Sequence, residues 1–303
     1  MKPEIAVCIV TWNSEAEIGP CLDAVRAQSV ATEFHVWDNA SRDGTAAVIH
    51  RFDGLTLHQS ELNLGFCAAN NRLIDQTTAP FVLFLNPDTS LAPSCLERLL
   101  ATLREAPAEV AAIGPKMVKP GGGVIDSAGI EPGRDTLSPH DRGEGEVDRG
   151  QYDTPGEYFG PSFACALWRR EAIEALKLDG EFLDEDFFAY FEDVDICWRA
   201  RRLGRRFLYE PHAVCEHRRG GPSAHGPTLA ARAFVNRYLL LIANENLRNG
   251  WLFLLRLIPY EALRLVWKTF ETPGFGVAWP MLRQSWRHAW KKRRLLNTHA
   301  TNI

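Results

Sequence analysis

Phe81-Val82-Leu83-Phe84-Leu85-Asn86-Pro87-Asp88 is the stretch from which the fold is read. Five consecutive apolar residues are more than a strand with one solvated face would carry, and too few for a buried helix. The run predicts a strand covered on both faces, as in the interior of a parallel α/β sheet. Asn86-Pro87 stops the strand, and Asp88 stands at its tip.

Outward from this run, strand patterns at 5–11, 34–38 and 55–58 alternate with helical patterns at 15–28, from Thr45, at 66–76 and at 93–105. That rhythm predicts βαβ crossovers and an α/β fold, a parallel sheet with helices on both faces. Right-handed crossovers place the strand ends Thr11, Asp38 and Asn86 along one edge, where open α/β sheets take ligands. The G-x-G-x-x-G fingerprint is absent, which disfavours a dinucleotide site. Residues 119–157 open with Pro120-Gly121-Gly122-Gly123, lack periodicity and read as a loop or lid rather than a core element. Core patterning returns at 163–168, followed by helices at 171–176 and 193–203 and a strand at 207–209.

A chain of 303 residues, nearly half of them apolar, supports one large domain with an appendage, here 1–228 with a helical extension over 229–303. Seven scattered cysteines without C-x-x-C spacing read as core residues in a reducing compartment. The first apolar stretch is too short for an export signal, and no long uninterrupted apolar run suggests a membrane span, so a cytoplasmic location is expected.

The net charge of −4 conceals a division: 1–228 carry 22 Lys/Arg against 35 Asp/Glu, and 229–303 carry 12 against 3. The extension also holds Trp251, Trp267, Trp279, Trp286 and Trp290. Arg256, Glu261, Arg264 and Lys268 fall on one side of an otherwise apolar helix that Pro259 should kink or divide. Further on, Trp279, Leu282, Trp286 and Trp290 are expected on one face, with Arg283, Arg287, Lys291 and Arg294 opposite. Such a helix suits a lipid interface, and packing or a homo-oligomer contact is the alternative use.

Four constellations carry chemistry. Asp38-Asn39-Ala40-Ser41 lets a carboxylate accept from a base N–H, or Ser41 and Asp43 simply cap a helix. Asp88 suits a hard cation that takes its other ligands from phosphate, or belongs to a turn. Glu192-Asp193-Val194-Asp195 follows the aromatic run Phe187-Phe188-Ala189-Tyr190-Phe191. One acid there satisfies a helix dipole, and a partly desolvated one is a base near neutral pH. His217, just after the 207–209 strand, is a metal ligand or a solvated loop side chain, and Arg218 and Arg219 beside Gly220-Gly221 suit phosphate.

In this order the motifs resemble the inverting family 2 glycosyltransferases of GT-A fold, and more narrowly their rhamnosyltransferase-like branch. The resemblance implies a Rossmann-like, mixed but mainly parallel sheet with helices on both faces. The matching elements are Val10-Thr11-Trp12-Asn13, Asp38-Asn39-Ala40-Ser41, Asn63-Leu64-Gly65-Phe66 with Asn70, Asn86-Pro87-Asp88, 160–170, Phe191-Glu192-Asp193-Val194-Asp195 and His217. The resemblance implies that Thr11 and Asp38 hold the nucleobase, and that Asn13, Asn39, Asn63, Gly65, Phe66, Asn70, Asn86 and Pro87 belong to the nucleotide-sugar site. Asp88 takes the last place of the family's D-x-D metal motif, with Asn86 where that motif has its first Asp, and His217 is a later metal or diphosphate contact. Mg²⁺ or Mn²⁺ is the implied cofactor. Asp193 is the implied base, and Glu192 and Asp195 orient it or bind acceptor hydroxyls.

The implied donor is a nucleotide-diphospho-sugar, dTDP-L-rhamnose before UDP- or GDP-sugars. The implied acceptor is a glycan, carried on a polyprenyl diphosphate at the inner face of the cytoplasmic membrane, with no role for nucleic acid. Two other classes compete. A sugar-nucleotide nucleotidyltransferase should carry a Gly-rich basic loop after its first strand, where this chain has Thr11-Trp12-Asn13-Ser14-Glu15-Ala16-Glu17. A silent sugar-binding scaffold has no need of Asp38, Asp88 and Asp193 together.

Overall fold

The opening apolar run forms β4 (Phe81–Leu85), buried at every position in the computed structural model, which describes residues 2–133, 139–219, 227–245, 247–271 and 275–301. Phe81, Leu83 and Leu85 enter one apolar cluster with the helices α1 (Ile18–Arg26) and α4 (Cys95–Glu105). Val82 and Phe84 enter a second, on the opposite face, with α3 (Gly65–Asp75) and α5 (Arg170–Leu176). Alternate side chains thus bury on both faces, which is why the run is continuously apolar.

β4 lies parallel to β1 (Ile5–Thr11), β1 to β2 (Thr32–Asp38), and β2 to β3 (Thr56–Gln59). Thr11 pairs with Asp38 and Ile9 with Leu85, so these strands end together at one edge. A short helix, α2 (Thr45–Ile49), crosses between β2 and β3. On the other side of β4 come β11 (Cys165–Arg169), antiparallel, then β6 (Val110–Val118), then β12 (Arg206–His217), parallel to β6. The sheet is therefore mixed and mainly parallel with helices on both faces, as the family resemblance implies.

Three differences bear on the site. β6 carries no expectation from sequence, and Gly114-Pro115 interrupts its apolar pattern. Pro115 is tolerated in an inner strand because it lies beside a register shift in β12, between Glu210 and Val214. The strand expected at 207–209 runs on to His217, and its end pairs antiparallel with β5 (Thr89–Leu91), directly after Asp88. His217 is thus a strand residue rather than a loop residue. The segment 119–157 is not wholly a loop: β7 (Ile125–Ser127) is fully buried against β6, and β8 (Ile130–Glu131), β9 (His140–Asp141) and β10 (Gly156–Glu157) follow. Its residues 134–138 lie outside those described.

α6 (Glu192–Arg202) precedes β12, and the extension is α7 (Pro227–Asn244), α8 (Leu247–Glu271) and α9 (Ala278–Thr301). Phe234, Leu239 and Leu240 of α7 and Ala289 of α9 join the apolar cluster of α3 and α5. Pro259 does not divide α8, which is one helix. The side chains of Trp251 and Arg256 lie outside the described set, and so do Gly220 and Gly221. The expected separation of Trp and basic faces on α9 is corrected: Leu282 and Trp290 pack inward, whereas Trp279 and Trp286 stay exposed beside Arg283 and Arg287. The inner face of α9 instead carries small Ala278 and Ala289 and the ion-paired Lys292, which sits 2.6 Å from Asp184. No helix among the described residues is long and apolar enough to cross a membrane.

Candidate active site

The common strand edge opens into a cleft of about 570 Å³. Thr11, Asn39, Asn63, Gly65, Phe66, Asn86, Pro87, Asp88, Glu192, Asp193 and His217 line it, residues drawn from distant parts of the chain. Asn13, Asp38, Asn70 and Asp195 stand behind this lining. The Asp38 carboxylate accepts from Ser41 N at 3.0 Å, and the Asn13 amide oxygen accepts from Arg42 N at 2.8 Å. Asn39 ties the connection after β2 to the one after β3, accepting from Leu64 N and donating to the Gly65 carbonyl. Thr11 is buried at the edge and its hydroxyl has no hydrogen-bond partner in the protein, so a ligand entering the cleft is the group left to satisfy it.

At one end of the cleft, the pairing of His217 with Thr89 across β12 and β5 brings His217 Nε2 to 3.3 Å from Asp88 Oδ1. His217 Nδ1 lies 2.8 Å from Asp126 Oδ2, on buried β7. Asp126 Oδ1 is 2.7 Å from Arg219 Nε, and Arg219 also pairs with Asp141 and Glu144. Burial alone would disfavour the imidazolium, but the bonds to Asp126 and Asp88 outweigh it and lift His217 to about 9. Asp126 has no sequence expectation: it lies in the aperiodic segment, and only its register on β6 brings it to His217.

The donors at this end fit a hard divalent cation. A carboxylate oxygen and an imidazole nitrogen lie side by side, with cleft volume beside them for phosphate oxygens and water. Among the described residues, another group, Asp184, Asp186 and His288, brings three ligand atoms within 4.8 Å of one another. None of the three lines the cleft, and Lys292 already places its ammonium against Asp184.

α6, which begins with Glu192 and Asp193, borders the same cleft. The preceding residues Phe188, Tyr190 and Phe191 all have positive φ, a conformation costly for side chains of this size. Two anchors hold it. Phe66 N and Cys67 N, at the start of α3, donate to the Phe188 carbonyl at 2.6 and 3.2 Å. The Asn236 amide of α7 lies 2.9 Å from each of the carbonyls of Phe187, Ala189 and Tyr190. Gly65 is required here: its φ is +84°, and a Cβ would come within 2.5 Å of the Phe188 ring. A polar residue on the core face of a helix was the available signal for Asn236.

Burial, and then the neighbouring carboxylate Asp141, raise Asp193 to about 6. Burial, and then Asp193, raise Glu192 to about 8. Both still border the cleft, so each is reachable by substrate. Asp195 faces elsewhere: it is buried, accepts from Asn244 Nδ2 at 2.6 Å, and lies 3.7 Å from Arg199. It joins α6 to the end of α7. One cleft is thus bordered by two carboxyls of raised pKa and by an acid–imidazole pair.

The same architecture recurs in solved structures of glycosyltransferases, and the fold is of the GT-A type. The mannosyltransferase PcManGT from Pyrobaculum calidifontis, solved in complex with GDP-Man and Mn²⁺, aligns with 99% of this chain and 87% of its own, at a TM-score of 0.57 and 18% identity. S. aureus TarS aligns with 80% of this chain at a TM-score of 0.55 and 18% identity, and the chain spans 40% of the TarS chain. More narrowly, the chain belongs to glycosyl transferase family 2, whose model matches residues 6–177. It is similar, at 29% identity over 83% of its length and 87% of the relative's, to N-acetylglucosaminyl-diphospho-decaprenol L-rhamnosyltransferase of Mycobacterium tuberculosis.

Proposed function

We propose that this glycosyltransferase inverts configuration as it moves L-rhamnose from dTDP-L-rhamnose to a hydroxyl of a polyprenyl-diphosphate-linked glycan in cell-surface polysaccharide synthesis. The observation that carries the reading is the presence of Asp193 and the Asp88–His217 pair on one cleft. The donor and acceptor rest on the similarity to the mycobacterial rhamnosyltransferase, together with the N-P-D form of the strand tip.

In this reading 1–228 form the catalytic unit, and the nucleoside lies at the edge formed by Thr11, Asp38 and Asn39. Asp193 takes the acceptor proton, and the freed oxygen attacks the anomeric carbon as the bond to the diphosphate oxygen breaks on the opposite face. A carboxylate raised to about 6 is largely ionised at pH 7 yet basic enough to receive that proton. Glu192 orients the acceptor. Asp88 and His217 would hold a divalent cation, Mg²⁺ or Mn²⁺, which would supply charge neutralisation for the leaving diphosphate. To ligate a metal His217 would be neutral, and the Nδ1 contact with Asp126 would then orient Nε2. Segment 63–71 and the described parts of 119–157 shield the donor from water. The enzyme works peripherally on the inner face of the cytoplasmic membrane, where a lipid-linked acceptor resides.

A thermal-shift screen of dTDP-, UDP- and GDP-sugars with Mg²⁺ or Mn²⁺ tests the donor. Selective stabilisation by dTDP-L-rhamnose, with an inverted product on a polyprenyl-diphosphate glycan, is the expected result. Stabilisation by a UDP- or GDP-sugar alone rejects the rhamnose donor.

A further inference from the structure

α8 is built inside out. Its charged stripe turns toward the protein: Glu261 is held by Arg237 of α7, 2.7 Å away, and by the Tyr238 hydroxyl at 2.6 Å. Its outer face carries Ile258, Leu263, Val266, Trp267 and Phe270, with Leu263 72% and Phe270 84% exposed. Residues 263, 266, 267 and 270 recur at helical spacing, so they form one stripe rather than scattered surface positions. A water-facing helix has the reverse polarity, and an uncovered stripe of this size calls for an apolar partner.

α8 and α9 both pack against residues 275–277, and the charge on α9 identifies that partner. α9 contains no Asp or Glu, and Arg283, Arg287 and Arg294 are exposed on it beside Trp279 and Trp286. Lys291 and Lys292 are engaged with Asp179, Glu181 and Asp184. No carboxylate pairs with the three exposed arginines among the described residues. An apolar stripe with aromatic side chains and uncompensated arginines is complementary to acyl chains below anionic headgroups. Since no described helix is long and apolar enough to cross a bilayer, α8 would lie in the interface plane.

We infer that the outer face of α8, with Arg283, Arg287 and Arg294 of α9, is a docking surface for an anionic lipid membrane. The inference rests on the peripheral location above and adds the face that makes contact. α7, the helix before α8, brings Leu229 to the lining of the catalytic cleft.

The test uses the full chain and phosphatidylcholine vesicles with and without phosphatidylglycerol. The protein should co-sediment with the anionic vesicles, and Leu263→Glu with Phe270→Glu should lower the bound fraction about tenfold or more. Replacing Arg283 and Arg287 by Gln should abolish the preference for phosphatidylglycerol. Melting temperature and nucleotide-sugar binding, measured on the same samples, should not change because these side chains are exposed and lie away from the cleft. Equal sedimentation of wild type and the Leu263/Phe270 variant overturns the inference. So does a wild-type dimer that ignores vesicles and dissociates in that variant, which makes the face an interface between copies. Loss of nucleotide-sugar binding by wild type would instead overturn the catalytic reading and leave the vesicle result standing.

Discussion

The side-chain amide of Asn236 on α7 lies 2.9 Å from the carbonyl oxygen of Tyr190, two residues before the first acid of α6. One amide group holds three carbonyls of a left-handed stretch, so the extension helps to fix where Glu192 and Asp193 enter the cleft. Asn236→Leu leaves those carbonyls without this donor. Chemical denaturation should show a loss of about 1–3 kcal/mol. Turnover should fall with donor affinity retained, and unchanged turnover would show that the loop holds its shape without the clamp.

Gly65 and Phe188 make a second constraint on the same loop. Gly65→Ala adds a methyl where the ring already lies and imposes a side chain at φ +84°. The cost should be about 1–3 kcal/mol in thermal or urea unfolding. Displacing the loop by an ångström should lower transfer about 10²-fold.

Asp193→Asn should reduce kcat by about 10²–10⁴-fold at saturating donor and acceptor, without weakening nucleotide binding. In the wild type, the transfer rate should rise with pH through an apparent pKa of about 6, because the base must be ionised. A profile flat from pH 5 to 8 rejects Asp193 as the base.

Glu192 predicts a stability effect of the opposite kind. Its folded pKa of about 8 lies above the usual carboxylate value of 4.5, so its contribution is fully present below pH 4.5 and is lost as pH rises toward 8. Glu192→Gln should therefore stabilise the protein relative to wild type at pH 8, by on the order of a few kcal/mol. The two proteins should converge at pH 4.5. Equal unfolding free energies at pH 8 would place the carboxyl in an ordinary solvated setting.

Asp88→Ala should abolish the Mn²⁺-dependent part of nucleotide affinity, and chelation should do the same to wild type. Asp126→Asn should weaken that part about 10- to 100-fold through the orientation of His217. Calorimetry with and without metal measures both effects. Affinities that ignore metal in all three proteins reject the cation site.

Much of the scaffold was legible before any coordinates. Phe81–Leu85 could only be a strand buried on both faces, and the parallel register then brought the ends of β1, β2 and β4 to one edge. Short-range patterning was less informative where a residue contradicts its element. Gly114-Pro115 concealed β6, and the glycine-rich opening of 119–157 concealed buried β7 and, with it, Asp126.

What the sequence by itself determined is the class of sheet, the acidic strand tip and the acidic helix start, because each follows from periodicity and turn chemistry within about ten residues. Only the tertiary structure decided which of them meet. His217 reaches Asp88 across 129 positions because β12 runs on to pair with β5, and Asp195 leaves the cleft because Asn244 and Arg199 hold it. The direction of α8 was also beyond the sequence. Its two faces are plain in the periodicity, but only the pairing of Glu261 with Arg237 turns the charged face inward and leaves the apolar one exposed.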